Sequence, residues 1–195
     1  MKNEQKIIVT GGMGYIGSHT AVELTASGFE TIILDNLENS EISVLEGIKS
    51  IAREKVYFEE VDLTNKEDCF AAIRKYDNIA GIIHFAAYKA VGESMNNPLK
   101  YYRNNLDGLF NVLEAINVFE IDNLIFSSSC TVYGDTKDLP VTEKTEKKRT
   151  FSPYGVTKQI GERVISDFCY AHKSSRAISL RYFNPIGAHP SADIG

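Results

Sequence analysis

A chain of 195 residues, 43% hydrophobic and 24% charged, holds enough apolar material for one sizeable domain without a disulfide or metal staple. Its formal net charge of −5 argues against a general nucleic-acid binder, which needs a surplus of Lys and Arg to neutralise phosphates. Cys69, Cys130 and Cys169 lack CxxC spacing, no apolar run nears the ~20 residues of a membrane span, and "MKNEQKIIVTGG" lacks a signal peptide's apolar core. The expectation is a soluble cytoplasmic protein with reduced thiols, no metal and no membrane.

In chain order, "KIIVT" (6–10) reads as a strand that runs into "GGMGYIGSHT", ahead of a helix near 15–27. Gly11, Gly14 and Gly17 have G-x-x-G-x-x-G spacing, a variant of the dinucleotide fingerprint. Backbone N–H groups must approach a pyrophosphate at the helix N-terminus, and a Cβ at the closest point would push the phosphates away. Gly17 would let helix and strand pack closely. The next strand, "TIILD" (31–35), ends in Asp35, placed to accept bonds from adenosine ribose hydroxyls. A carboxylate there repels a 2′-phosphate, so NAD is expected rather than NADP.

A helix is predicted over 42–53 and a strand over 56–62, "VYFEEVD", whose final Asp62 either faces the adenine or caps the following loop. A helix near 66–76, a strand "GIIHFA" (81–86), a long helix over 98–118 and a strand "LIFSSS" (124–129) follow. His84, inside an apolar strand, reads as a satisfied core histidine, and His19 as a packing or capping residue of the first helix. After a polar loop over 134–152, read as either a cover for the site or a mobile surface loop, come a helix over 153–172 and a strand "AISLRYF" (177–183). Continuous apolar strands alternating with helices imply a doubly wound α/β parallel sheet, the Rossmann arrangement, with strand order 3-2-1-4-5-6.

"SPYGVTK" (152–158) opens the last helix, with Ser152 as cap and Pro153 in the first turn. Val156, Ile160, Val164 and Phe168 step by four and predict its buried stripe, leaving Tyr154 and Lys158 side by side off that stripe. Free Tyr has a pKa of about 10, and making it a base at pH 7 requires roughly 4 kcal/mol. An ammonium ~5 Å away contributes about 3 kcal/mol at an effective dielectric near 20. The pair thus predicts a phenol tuned for proton transfer. Ser129, at a strand C-terminus, is placed where parallel-sheet ligands gather, beside the phenol. Cys130 has no neighbouring His or cation in sequence to activate its thiol.

"TGGMGYIGSH", "SSSCTVYGD", "SPYGVTK" and "RYFNPIGAHPS" together resemble the extended short-chain dehydrogenase/reductase superfamily. Within it, "FAAYKAVGES" (85–94) and "YYRNNLDG" (101–108) are similar to the UDP-glucose (UDP-galactose) 4-epimerases of galactose metabolism. The resemblance implies an NAD cofactor and a UDP-sugar substrate. It places Tyr15, Ile16, Asp35, Asn36, Leu37, Asn39 and Ser40 along the adenosine and pyrophosphate half of NAD. Asp62 and Leu63 would flank the adenine, while Phe85, Ala86, Ala87, Lys89 and Asn104 would meet the other half. Ser129, Tyr154 and Lys158 become the catalytic set, Phe183 borders the nicotinamide, and Asn184 approaches the UDP-sugar.

Related 4,6-dehydratases carry Asp-Glu where this chain has Cys130 and Thr131, which favours epimerisation over elimination of water. Family members continue well beyond "NPIGAHPS", so residues 1–183 read as the NAD-binding domain and 184–195 as the truncated start of a substrate-binding portion. Family precedent is a homodimer. The alternatives are another nucleotide-sugar epimerase or 4-reductase of the superfamily, and a non-catalytic NAD-binding module. The intact Ser129, Tyr154, Lys158 set argues against the module.

Overall fold

The computed structural model describes residues 5–52 and 56–194. Strands β1 (Lys6–Thr10), β2 (Glu30–Asp35), β3 (Val56–Glu60), β4 (Ile79–His84), β5 (Asn123–Ser129) and β6 (Arg176–Tyr182) form one sheet in the order β3-β2-β1-β4-β5-β6. Every pairing is parallel, with Ile8 opposite both Ile32 and Ile82. This is the arrangement expected from the alternation of apolar strands and helices.

Successive strand residues feed two cores. Ile8, Ile32, Leu34 and Ile82 pack against α3 (Lys66–Ile73), α6 (Gly108–Val118) and α7 (Pro153–Ala171) on one face. Ile33, from the same strand as Ile32 and Leu34, points to the other face, beneath α1 (Tyr15–Ala26) and α2 (Ser43–Ala52). Ile194 is buried in that second core at 5% exposure. The chain after β6 therefore returns from the edge strand to the α1–α2 side, and the Tyr15 hydroxyl donates to the Gly187 carbonyl at 2.7 Å along the way.

The predicted helix over 42–53 is α2, Ser43–Ala52, with Arg53 outside the described residues. The predicted helix over 98–118 is a continuous helical run with those bounds, α5 (Pro98–Tyr102), a π-helical turn (Arg103–Asp107) and α6, preceded by the short α4 (Val91–Asn96). Pro98 separates α4 from α5 because the residue before a proline is pushed out of helical geometry, and Asn97 sits at φ −126°. One expectation changes, the rotation of α7. Its sheet-facing residues are Gly155, Lys158, Gly161, Glu162 and Ile165, whereas Val156, Ile160, Val164 and Phe168 are only half-buried. Gly161 lies so close to the Phe126 ring that a Cβ would come within 2.8 Å of it, so the helix seats through its small residues, with Val164 and Phe168 of the apolar stripe packed against the margin of the main core.

Candidate active site

The turn after β1 is held open by its glycines. Gly11 has φ +65°, and a side chain there would strike the Ala86 backbone at 2.7 Å. A Cβ on Gly17 would lie 2.2 Å from the Gly11 carbonyl, so α1 can start this close to β1 only without one. Gly14 caps α1 with no side-chain bond, and no acidic residue occupies the first turn. The first N–H groups of the helix thus face no acidic side chain from its own first turn, which suits a pyrophosphate.

Asp35 ties the turn to the next loop. One carboxylate oxygen accepts the Met13 N–H at 3.0 Å, and the other accepts the Leu37 N–H at 2.9 Å and the Ser40 hydroxyl at 3.1 Å. A carboxylate has about four acceptor sites, so one remains for a ribose hydroxyl. Asn36 accepts the Glu38 N–H at 3.1 Å and is exposed, as is Asn39. Asp62 accepts both the N–H and the hydroxyl of Thr64, at 2.9 and 2.8 Å, which is the loop-capping geometry. The Leu63 side chain is part of the main core.

Across the cleft, the loop after β4 is fixed by its backbone. Phe85 N–H donates to the Thr10 carbonyl at 3.0 Å, and Asn105, in the π turn, holds Tyr88 from both sides through its amide at 2.9 and 3.0 Å. Asn105 also donates to Thr157 of α7 at 3.1 Å, and neighbouring Asn104 donates to Asn105. The Tyr88 hydroxyl reaches over to the Glu38 carboxylate, joining the loops after β2 and β4. Ala86 and Ala87 are half-buried and Lys89 is exposed. His84 is a core residue: its Nδ1 pairs with Thr10 at 2.8 Å, and burial, reinforced by the Lys158 charge, pushes its pKa down to about 3.

Ser129, Tyr154 and Lys158 meet where β5 ends and α7 begins. The Ser129 oxygen accepts the Thr131 N–H at 3.2 Å and the Thr131 hydroxyl at 3.0 Å. With both lone pairs used, its own proton is free to point at Tyr154, and this contact favours the ionised phenol. The Lys158 ammonium is 5.9 Å from the centre of the Tyr154 ring and donates to the Ser127 carbonyl at 2.7 Å.

The electrostatics differ from the sequence-based expectation. Burial raises the Tyr154 pKa, and Ser129 opposes that effect. Lys158 is 4% exposed, and burial lowers its pKa to about 8. Among the protein's own groups, desolvation of the phenolate therefore outweighs the Ser129 bond that favours it.

A model of the NAD dependent epimerase/dehydratase family matches residues 7–194. The chain belongs to that family. It is 45% identical over 192 residues to a UDP-glucose 4-epimerase of Dictyostelium discoideum, covering 98% of this chain and 55% of the relative. It is 47% identical over 189 residues to the Bacillus subtilis UDP-glucose 4-epimerase, covering 97% and 55%. The chain thus spans about half the length of the curated relatives it matches. Among solved structures, the Bifidobacterium longum UDP-glucose 4-epimerase in complex with NAD+ and UDP superposes with a TM-score of 0.95 at 39% identity, covering 98% of this chain and 57% of that one.

In this family member, the residues singled out from sequence divide into three groups. Gly11, Gly14, Tyr15, Ile16, Gly17 and the Asp35–Ser40 loop converge on the N-terminus of α1, and Ser129, Tyr154 and Lys158 converge on the end of β5. Phe183, at 59% exposure, and Asn184 lie exposed just beyond β6. Thr131 was overlooked except as a departure from the dehydratases, although a Thr two residues after a reactive Ser is a standard source of a local side-chain bond. Among the described residues no cluster of His, Cys, Asp and Glu could hold a metal, and no helix is long and apolar enough to cross a membrane.

Proposed function

We propose that this chain forms the NAD-binding and catalytic half of an enzyme that interconverts UDP-glucose and UDP-galactose at C4. The first-turn N–H groups of α1 would hold the cofactor's pyrophosphate, Asp35 its adenosine ribose, and Lys158 its nicotinamide ribose. When bound, NAD supplies a reversible hydride acceptor, so the sugar passes through a planar 4-ketone and is re-reduced on its opposite face.

Tyr154 takes the proton from the 4-hydroxyl and later returns it. The Ser129 proton, directed outward by Thr131, steadies oxygen negative charge on the phenol and on the sugar. Lys158 keeps positive charge next to the ring below about pH 8. The observation that carries this reading is the Ser129 hydroxyl with both lone pairs occupied beside Tyr154: a purely structural serine needs no proton aimed at a phenol. The relatives named above, UDP-glucose 4-epimerases at 45% and 47% identity, support the substrate.

A homodimer and a cytoplasmic setting belong to the same proposal. Half-exposed Val156 and Ile160 on α7, with exposed Leu99 and Phe110 in the same helical layer, support pairing with a second copy. Three free cysteines support a reducing compartment.

The test begins with mass spectrometry of ligand released from denatured purified protein, which should show NAD. Completed by its other half, the enzyme should then interconvert UDP-galactose and UDP-glucose with no net reduction of NAD, whereas this chain alone is expected to bind NAD with or without turnover. Tyr154→Phe should retain NAD and lose at least about 100-fold in turnover, the scale of a general acid–base group. Full turnover in that variant would exclude Tyr154 as the base.

A further inference from the structure

Behind the catalytic hydroxyls lies a second polar cluster that the chemistry above does not use. Glu162 follows Lys158 by one turn on the sheet-facing side of α7 and is 8% exposed. Its carboxylate accepts the Ser128 hydroxyl at 2.6 Å, the Lys147 ammonium at 2.8 Å, and Arg181 through Nε at 2.8 Å and Nη2 at 2.9 Å. Those bonds fill its lone-pair sites. Arg181 carries the network onward: Nη1 donates to the Tyr133 hydroxyl at 2.9 Å, and the guanidinium lies 5.0 Å from the Tyr133 ring centre. Burial alone would raise the Glu162 pKa, but the donors from Arg181, Lys147 and Ser128 prevail and hold it at about 2.

Each partner adjoins a working part of the site. Ser128 immediately precedes Ser129. Tyr133 closes the 3₁₀ turn Cys130–Tyr133, inside which Thr131 aims the Ser129 proton. Lys147 belongs to the loop over 134–152, which Gln159 of α7 also grips through the Lys148 carbonyl at 2.6 Å. Arg181 lies near the end of β6, ahead of Phe183 and Asn184. One carboxylate on the helix that bears Tyr154 thus grips both segments that set the position of Ser129. Stability alone is a weak reason for such a group, because well-packed apolar residues commonly replace buried ion pairs at no cost. A saturated carboxylate does what they cannot: it fixes the directions of its donors.

We propose that Glu162 is a positioning residue that holds the Ser129 hydroxyl against the Tyr154 phenol by clamping the end of β5 and the turn after it to α7. Its kinetic consequence rests on the epimerase reading; its effect on the phenol does not. Loss of the Glu162 negative charge would by itself lower the phenol's pKa, so an upward shift on substitution reports displacement rather than lost charge.

The experiment uses protein labelled with 13Cζ-tyrosine, titrated with and without NAD, with the Tyr154 resonance assigned by its absence in Tyr154→Phe. Glu162→Gln should move the Tyr154 midpoint upward by about half a unit or more, because the Ser129 contact that favours the phenolate is loosened. Ser128→Ala, which removes one arm, should produce a smaller shift of the same sign. In the UDP-sugar assay Glu162→Gln should lower kcat by about 10- to 100-fold, the scale of an ångström-sized misplacement, with KM and NAD affinity held within about twofold. A folded Glu162→Gln protein whose Tyr154 titrates like the parent overturns the proposal. If that variant does not fold, unshifted midpoints in both Ser128→Ala and Tyr133→Phe overturn it equally. A parent protein that binds no dinucleotide would refute the epimerase reading, while the tyrosine titration without NAD would still decide the role of Glu162.

Discussion

At the glycine turn, the groups facing the cleft are backbone N–H donors, arranged by the absence of side chains at Gly11 and Gly17 and secured by the Asp35 carboxylate. At the β5–α7 end they are side chains, and the most deeply buried of them, Lys158, carries a charge through the physiological range. The first region reaches its geometry without desolvating a fixed charge, so stability and ligand binding ask for the same structure. The second buries an ammonium in front of a phenol, which costs stability in return for chemistry. The contrast teaches where substitutions should harm folding and where they should relieve it.

Gly17→Ala should have the largest effect. The added carbon would sit 2.2 Å from the Gly11 carbonyl, and neither α1 nor β1 can retreat without opening the core around Ala21 and Ile33. A loss of about 3 kcal/mol or more is expected, read as a lower urea midpoint together with loss of NAD binding. Normal stability and normal NAD affinity would mean that the turn is looser than its contacts indicate.

Lys158→Met should act in the opposite direction. At pH 7 the ammonium is buried at a cost on the order of 3 kcal/mol, partly offset by its bond to the Ser127 carbonyl. The variant should therefore be more stable than the parent by on the order of 2 kcal/mol when melted without nucleotide, yet catalytically impaired. The pH dependence follows from the sign of the shift. The folded pKa, about 8, lies below the ordinary 10.5, so the full cost applies below pH 8 and fades as the pH rises towards 10.5. The parent should thus gain on the variant across that window. A parent–variant gap that stays constant from pH 7 to about pH 10 would show that Lys158 is not desolvated as its burial implies.

Thr131→Val makes the subtlest change. It removes the hydroxyl donor to Ser129 but leaves the backbone donor at 3.2 Å, so the serine proton regains some freedom. A stability change of about 1 kcal/mol or less and a several-fold loss of turnover are expected, with NAD binding untouched. Weakened NAD binding would show that the two ends of the cleft are coupled more tightly than their separate bonding suggests.

Sequence reading performed best where the determining interactions are local. The glycine spacing, Asp35 at a strand end and the Ser152-Pro153 helix start each report on neighbours a few residues away, and each lies where expected. The helix over 98–118 has its expected bounds, but its π turn has no local sequence signal; Asn105 within that turn bonds Tyr88 and Thr157, both distant in sequence. On α7, the apolar stripe competed with a face of glycines and paired charges, and close approach to Phe126 selected the glycines. Glu162 carried one usable signal, its i+4 spacing from Lys158, but nothing in sequence pairs it with Arg181, Lys147 and Ser128.

The residue order alone determined the parallel α/β architecture, the anion-binding turn and the adjacency of Tyr154 to Lys158, because strand polarity, glycine placement and helical pitch are properties of short segments. Tertiary structure decided which face of α7 meets the sheet, which carboxylate gathers the strand ends, and whether burial or a neighbouring charge governs the phenol. Those outcomes depend on desolvation and on partners brought from far along the chain, and neither exists until the layers have packed.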